Sequence, residues 1–286
     1  MDTESLRIFC AVAADLSITQ AAARLGRAPS NVTTRIQQLE ADVGVELFVR
    51  IGKRIVLSTA GEQFLVYAER LLALEDEARQ VVSNGASGGV LRIGSMESTA
   101  ASRLPGVLAA FHVEHPATRL VLRTGPSRQT VEQVRSGALD CAFAALPGGG
   151  AELAEMGLQS MPVWAEALLL LLPPGESDVD DLKQVRARSL AAFPKGCTYR
   201  SLAEDRLGIA GAAAWRVQEM NSYHAMIACV AAGACVTVLP ASVLALGGAP
   251  AALKTLPLGR LDTCLVWREG FATPAFRAFA GGLPTA

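Results

Sequence analysis

The sequence predicts an α/β chain in three blocks: an N-terminal winged helix-turn-helix, one long linking helix, and a larger C-terminal α/β region of two lobes. Three observations predict this. Gly and Pro punctuate short helical patterns up to residue 58, one longer helical pattern covers 59–83, and from Val90 onward short apolar runs alternate with helical ones. The expected boundaries are 1–58, 59–89 and 90–286. Within the last block one lobe covers about 90–163 and 264–286, and the other about 164–263.

In the first block, Leu6, Phe9, Cys10 and Ala13 share one face of a helix from about Glu4 to Asp15. Ser17-Ile18-Thr19-Gln20 is a capping box that opens an alanine-rich helix from Gln20 to Leu25, and Gly26 ends it. Pro29 suits a first helical position. The helix it opens turns Val32, Ile36, Leu39 and Val43 inward and Ser30, Asn31, Thr33, Thr34, Arg35, Gln37 and Gln38 outward. Short polar side chains near a helix N-terminus, with one arginine and no carboxylate before Glu40, are the chemistry that reads base edges in a major groove. Leu47 to Ser58 then reads as two strands turning at Ile51-Gly52, a wing with Arg50, Lys53 and Arg54 at its tip. Such cations suit the phosphate backbone or the minor groove.

Composition bounds the rest. At 286 residues and 51% hydrophobic the chain affords about two domains with a sizeable core. The formal net charge is −1, so any nucleic-acid surface is local. No run reaches the ~18 apolar residues of a membrane span, and Met1 to Cys10 lacks a secretory pattern, so a cytoplasmic protein with no membrane partner is expected. Six cysteines without a C-x-x-C pair read as reduced, mostly buried thiols; Cys197, flanked by Lys195 and Arg200, is the candidate for a redox alternative. His112, His115 and His224 do not cluster with other ligands, so neither a metal nor a cofactor is expected.

The string Ser17-Ile18-Thr19-Gln20-Ala21-Ala22, Leu25, Pro29-Ser30-Asn31-Val32-Thr33, Ile36-Gln37-Gln38-Leu39-Glu40, Leu47-Phe48, Arg50, Leu57-Ser58 and Ala60-Gly61 resembles the LysR-type transcriptional regulators in order and spacing. Two positions depart from the family pattern. Ala28 stands where the family commonly has a serine N-cap, and Thr34 where many members carry a larger polar or basic residue. The resemblance implies a homodimer through the 59–82 helix, with Phe64, Leu65, Ala68, Leu71, Leu72 and the 74–78 segment as its apolar stripe, and further pairing to a homotetramer. It also implies promoter DNA as partner, an indirect effect on RNA polymerase, and a small-molecule effector bound in a domain of the periplasmic-binding-protein type. The DNA-binding residues expected are Ser30, Asn31, Thr33, Thr34, Arg35, Gln38, Arg50, Lys53 and Arg54.

In the third block, Val90–Gly94, Arg119–Arg123 and 138–144 read as strands around helices at Leu104–His115 and Thr130–Ser136, and a mostly parallel sheet follows. A second set spans 189–239, and 264–283 returns to the first lobe. Ligands of open α/β sheets sit at strand C-termini beside helix N-termini. That rule selects Ser95, Met96, Glu97, Ser98, Thr99, Ser127, Phe193, Cys197, Thr198, Tyr199, Arg200, Asn221, Ser222 and Tyr223 as effector-binding residues. Hydroxyls and helix starts suit a small carboxylate or other anion, with Arg200 as a bidentate partner. A catalytic reading lacks a nucleophile–base pair at recognisable spacing. A sequence-neutral DNA binder would need more positive charge.

Overall fold

The computed structural model describes residues 1–52, 54–82, 88–147, 151–209, 214–247 and 253–284. Lys53 and residues 83–87, near the end of the expected 59–89 block, lie outside the described residues. The chain divides into two compact units, one of 1–84 with 136–138 and one of 85–135 with 139–286.

In the first unit, α1 (Thr3–Asp15), α2 (Ile18–Arg24) and α3 (Pro29–Val43) precede the ribbon β1 (Phe48–Ile51) and β2 (Arg54–Leu57) and the long helix α4 (Thr59–Val82). Asp2 caps α1, its carboxylate accepting from the Ser5 amide at 2.7 Å. Ser17 caps α2 through the Gln20 amide at 3.3 Å, and Gly26 follows that helix at φ +63°. Leu6, Ile8, Phe9, Val12, Ala21, Ala22, Val32, Ile36, Leu39 and Leu47 form the core. Phe9 lies 5.3 Å from the Phe48 ring and 5.2 Å from that of Phe64, tying α1 to the wing and to α4.

Glu40 joins α3 to the wing. One carboxylate oxygen accepts from the backbone amides of Leu47 at 2.7 Å and Phe48 at 3.1 Å. Glu40→Ala strands both donors, and a half-buried donor left unmade costs roughly 1–3 kcal/mol. A drop of several degrees in the melting temperature of the first unit is expected; a variant that melts at the wild-type temperature contradicts this role.

The α4 stripe divides. Phe64, Leu65, Ala68 and Leu72 pack on the core of the same unit, whereas Leu71 and Leu74 stay exposed with Val66, Tyr67, Val81 and Val82. The expected single stripe is thus two: a 24-residue helix carries apolar residues around more than one face.

The second unit opens with β3 (Val90–Ser95), α5 (Glu97–Ser102), α6 (Leu104–Glu114), β4 (Arg119–Thr124), α7 (Ser127–Ser136), β5 (Cys141–Ala145) and α8 (Ala151–Glu155). It continues through β6 (Leu158–Leu171), β7 (Ser189–Ala192), α9 (Thr198–Arg206), β8 (Arg216–Glu219), α10 (Tyr223–Ala231), β9 (Val236–Pro240), α11 (Ala241–Leu244), β10 (Thr255–Arg268) and α12 (Pro274–Gly281). One eight-stranded sheet runs β4-β3-β5-β10-β6-β9-β7-β8. Each end is parallel; the centre, where β10 pairs with β5 and β6 and β6 pairs with β9, is antiparallel. The two 14-residue strands β6 and β10 thread both lobes and are longer than the sequence pattern indicates. Pro162 and Pro257 interrupt the apolar run in each, and both sit beside register shifts of the β6–β10 pair, where a missing amide is tolerated.

Candidate functional sites

On α3, Ser30, Asn31 and Gln38 are exposed, and with Thr34 and Arg35 they line one shallow concavity. Ala28 gives the helix no side-chain cap, but Pro29 has no amide proton and the Asn31 and Val32 amides donate to the Ala28 carbonyl at 3.0 and 3.2 Å, so of the first turn only the Ser30 amide lacks a partner among the described residues. The Thr33 and Thr34 hydroxyls donate to the carbonyls of Pro29 and Ser30, each at 3.0 Å. In the free protein their protons are therefore spent on the helix, leaving acceptor lone pairs and methyl groups. Among the described residues Arg35 reaches only Asp2, at 3.4 Å, in an exposed pair. In the wing, Phe48 pairs with Leu57 and Arg50 with Ile55, so these four share one face; Arg54 pairs with Ile51 on the other. Arg50 and Arg54 are both exposed at the tip, beside Gly52 at φ +63°.

In the second unit, a cavity of about 420 Å³ opens among the strand ends. Met96, Glu97, Ser98, Ser127, Phe193, Cys197, Tyr199, Asn221 and Tyr223 line it, as expected residues, together with Thr124, Gly125, Pro126, Gln129, Pro194 and Lys195. Both lobes contribute. Phe193 and Tyr223 meet edge to face at 4.9 Å and build one wall. The segment before the expected Thr130–Ser136 helix is itself helical: α7 begins at Ser127, three residues before the expected Thr130, with the Pro126 carbonyl accepting from the Thr130 amide at 3.0 Å.

Five expected residues do not line the cavity. The Arg200 guanidinium gives Nε to Glu204 at 2.7 Å and Nη1 to Glu219 at 2.6 Å and to the Phe193 carbonyl at 3.1 Å. Its fork is consumed by two carboxylates, one a helical turn onward and one on β8, so it braces the Phe193 wall from behind. Thr198 donates to the Ala145 carbonyl at 3.0 Å, linking α9 to the end of β5. Ser95 is fully buried and donates to the Met96 carbonyl at 2.9 Å. Thr99, one position past Ser98, is turned into the interior. Ser222 caps α10 through the Ala225 amide at 3.4 Å.

A closed polar cluster lies beside the cavity. The hydroxyls of Ser98, Tyr199 and Thr263 are buried without a hydrogen-bond partner, and the first two belong to lining residues that are 3% and 1% exposed. Burial pushes the Tyr199 phenol up to about 12, with the Ser98 and Thr263 hydroxyls close to it but in no well-formed hydrogen bond. Burial likewise lifts Tyr223 well above its ordinary range, so both rings present protonated hydroxyls. Burial also raises the Cys197 thiol, against the weaker pull of the Tyr199 and Arg200 amides. That opposes the thiolate a redox role requires.

Behind this cluster lies a network the sequence reading missed. Glu166, 3% exposed on β6, accepts from Arg103 Nε at 2.7 Å and from the Ser242 hydroxyl at 2.9 Å. Ser102 and Ser242 are 3.1 Å apart and join α5 to α11. The available signal was a single carboxylate inside the apolar run Val163–Leu172.

A winged helix-turn-helix with an open polar helix face, on a chain whose other unit holds a two-lobed ligand cavity, defines a ligand-responsive DNA-binding protein. The chain belongs to the LysR family: residues 3–62 match the bacterial regulatory helix-turn-helix protein, lysR family, and residues 84–283 match the LysR substrate binding domain. It is a LysR-type DNA-binding transcriptional regulator with an effector-binding domain. It is 34% identical to the uncharacterized HTH-type transcriptional regulator YusT of Bacillus subtilis (strain 168), over 98% of this chain and 94% of that one. It is also 34% identical to the HTH-type transcriptional regulator GltR of the same organism, over 86% and 81%. Among solved structures, CbnR, a LysR family transcriptional regulator, superposes with a TM-score of 0.68 at 25% identity, over 99% and 98% of the two chains.

Proposed function

We propose that this regulator selects its promoter through Ser30, Asn31, Thr33, Thr34, Arg35 and Gln38 of α3, with Arg50, Lys53 and Arg54 of the wing on the backbone, and that a small carboxylate or other anion bound in the two-lobed cavity sets its activity. CbnR has been solved in full length with its target DNA, which supports the DNA half of this reading. The observation that carries the effector half is the cavity itself, which gathers Ser98, Ser127, Tyr199 and Tyr223 beside the start of α7 at the strand ends. The exposed side of α4 around Val66, Leu71 and Leu74 supplies the homodimer contact, further pairing gives a tetramer, and the complex acts in the cytoplasm on access of RNA polymerase to the promoter. An effector shifts this equilibrium only by as much as it prefers one arrangement over the other.

Competition of the chain's own promoter against random DNA, with candidate acids added, tests the reading. A preference for the promoter that an acid alters, with the acid recovered unchanged, is expected; equal affinity for both DNAs overturns it. Tyr199→Phe removes one unpartnered hydroxyl, so without effector the variant is expected to melt at or slightly above the wild-type temperature while effector affinity falls about tenfold, the equivalent of 1.4 kcal/mol. Wild-type affinity in Tyr199→Phe would show that this hydroxyl has no part in the site.

A further inference from the structure

The charged groups of the cavity are of opposite sign. Glu97 opens α5 and is half-buried, Lys195 is exposed on the loop before α9, and both line the same space. Neither makes a hydrogen bond or ion pair among the described residues. Two nearby guanidiniums are taken, Arg200 by Glu204 and Glu219 and Arg103 by Glu166, while the exposed Arg128 in the first turn of α7 stands beside Gly196 and adds positive charge at the Lys195 end. The unpaired carboxylate stands with the hydroxyls. Its field reaches the Tyr223 hydroxyl, which also lies near Ser98, and Ser98 in turn stands beside Tyr199. A ligand carrying only negative charge would face Glu97 across a partly dry space, where like charges repel more strongly than in water. A ligand carrying only positive charge would leave Lys195 and the first amides of the ten-residue α7 without an acceptor.

Resting on the effector reading above, we infer that the effector is a zwitterion of the amino-acid class, with its ammonium held by Glu97 and its carboxylate by Lys195 and the α7 start. Polar side chains of the lining, Asn221 and Gln129, complete its bonds, since an amide both donates and accepts. Ser127 joins them: its oxygen accepts from the Ala145 amide at 3.2 Å, which leaves its proton for the ligand. The Phe193–Tyr223 wall, Met96, Pro126 and Pro194 leave an apolar space for a side chain.

The test uses the full-length protein and titration calorimetry. The probes are the twenty common L-amino acids, and for each binder the matched acid without the amino group and the matched amine without the carboxylate. At least one amino acid is expected to bind, with both matched probes about tenfold weaker or worse. Glu97→Gln, which breaks no ion pair among the described residues, is expected to weaken the amino acid about tenfold while leaving the matched acid as tight or tighter. A matched acid that equals its amino acid, an undiminished preference in Glu97→Gln, or no binding by any of the twenty overturns the inference. Binding of the acid alone overturns the zwitterion and leaves the effector reading standing. Gln129→Trp on the exposed rim separates the two: amino-acid binding that it leaves intact lies outside this cavity and overturns both.

Discussion

Replacing Gly61 with valine is expected to abolish promoter binding and to unfold the winged helix-turn-helix at temperatures where the second unit still stands. Gly61 lies in the first turn of α4, and a Cβ there would overlap the carbonyl oxygen of Leu47, with the Leu57 side chain close behind. That carbonyl cannot yield. It accepts from the Ser58 amide at 2.9 Å, while Ser58 Oγ donates to the Glu46 carbonyl at 2.7 Å and accepts from the Gly61 amide at 2.9 Å. The wing base and the start of α4 are therefore one bonded unit, closed around the missing side chain. Overpacking against backbone costs on the order of 3 kcal/mol, a large fraction of a small domain's stability. Gly61→Ala, smaller but clashing at the same atom, is expected to fall between wild type and valine. Calorimetric melting with an anisotropy titration on promoter DNA checks this; a valine variant with the wild-type transition and affinity would show that α4 shifts freely off Leu47.

The second large effect concerns Arg35. On the proposed reading, Arg35→Glu places a carboxylate against the DNA on the face that Ser30, Asn31, Thr34 and Gln38 share. Promoter affinity is expected to fall about 100-fold, since one good base contact is worth roughly 1–3 kcal/mol and charge reversal adds repulsion from phosphate. Stability should hold: the Arg35–Asp2 pair is exposed at 3.4 Å, and such pairs contribute little. Thr33→Ala with Thr34→Ala should lower the ratio of promoter to random-DNA affinity about tenfold, a smaller loss because the free-state hydroxyl protons already serve the helix. A folded Arg35→Glu variant with undiminished promoter selectivity would move recognition away from α3.

Much of this was legible from local chemistry. The capping serine at 17, Gly26 and Pro29 place α2 and α3, and α4 (Thr59–Val82) falls within the 59–83 segment that the helical pattern indicates. Strand-end loops beside helix starts located the cavity, because helix amides and hydroxyls must collect there in this sheet arrangement. Individual side chains were less legible. Arg200 reads as a ligand clamp in sequence because its loop is rich in hydroxyls, yet Glu204 and Glu219 take its fork. Glu219 lies 19 residues away, and only the β7–β8 pairing brings it near.

The amino-acid sequence alone determined the order of elements, the inward faces of α1 and α3, the polar face of α3 and the cavity's loops, since these follow from periodicity, caps and turns within a few residues of one another. Tertiary structure alone decided which hydroxyls are left unpartnered, that Glu166 is buried against Arg103 and Ser242, that Glu97 and Lys195 share one cavity, and why Gly61 tolerates no side chain. Those facts depend on atoms far apart in the chain meeting at ångström range, and no local pattern records such meetings.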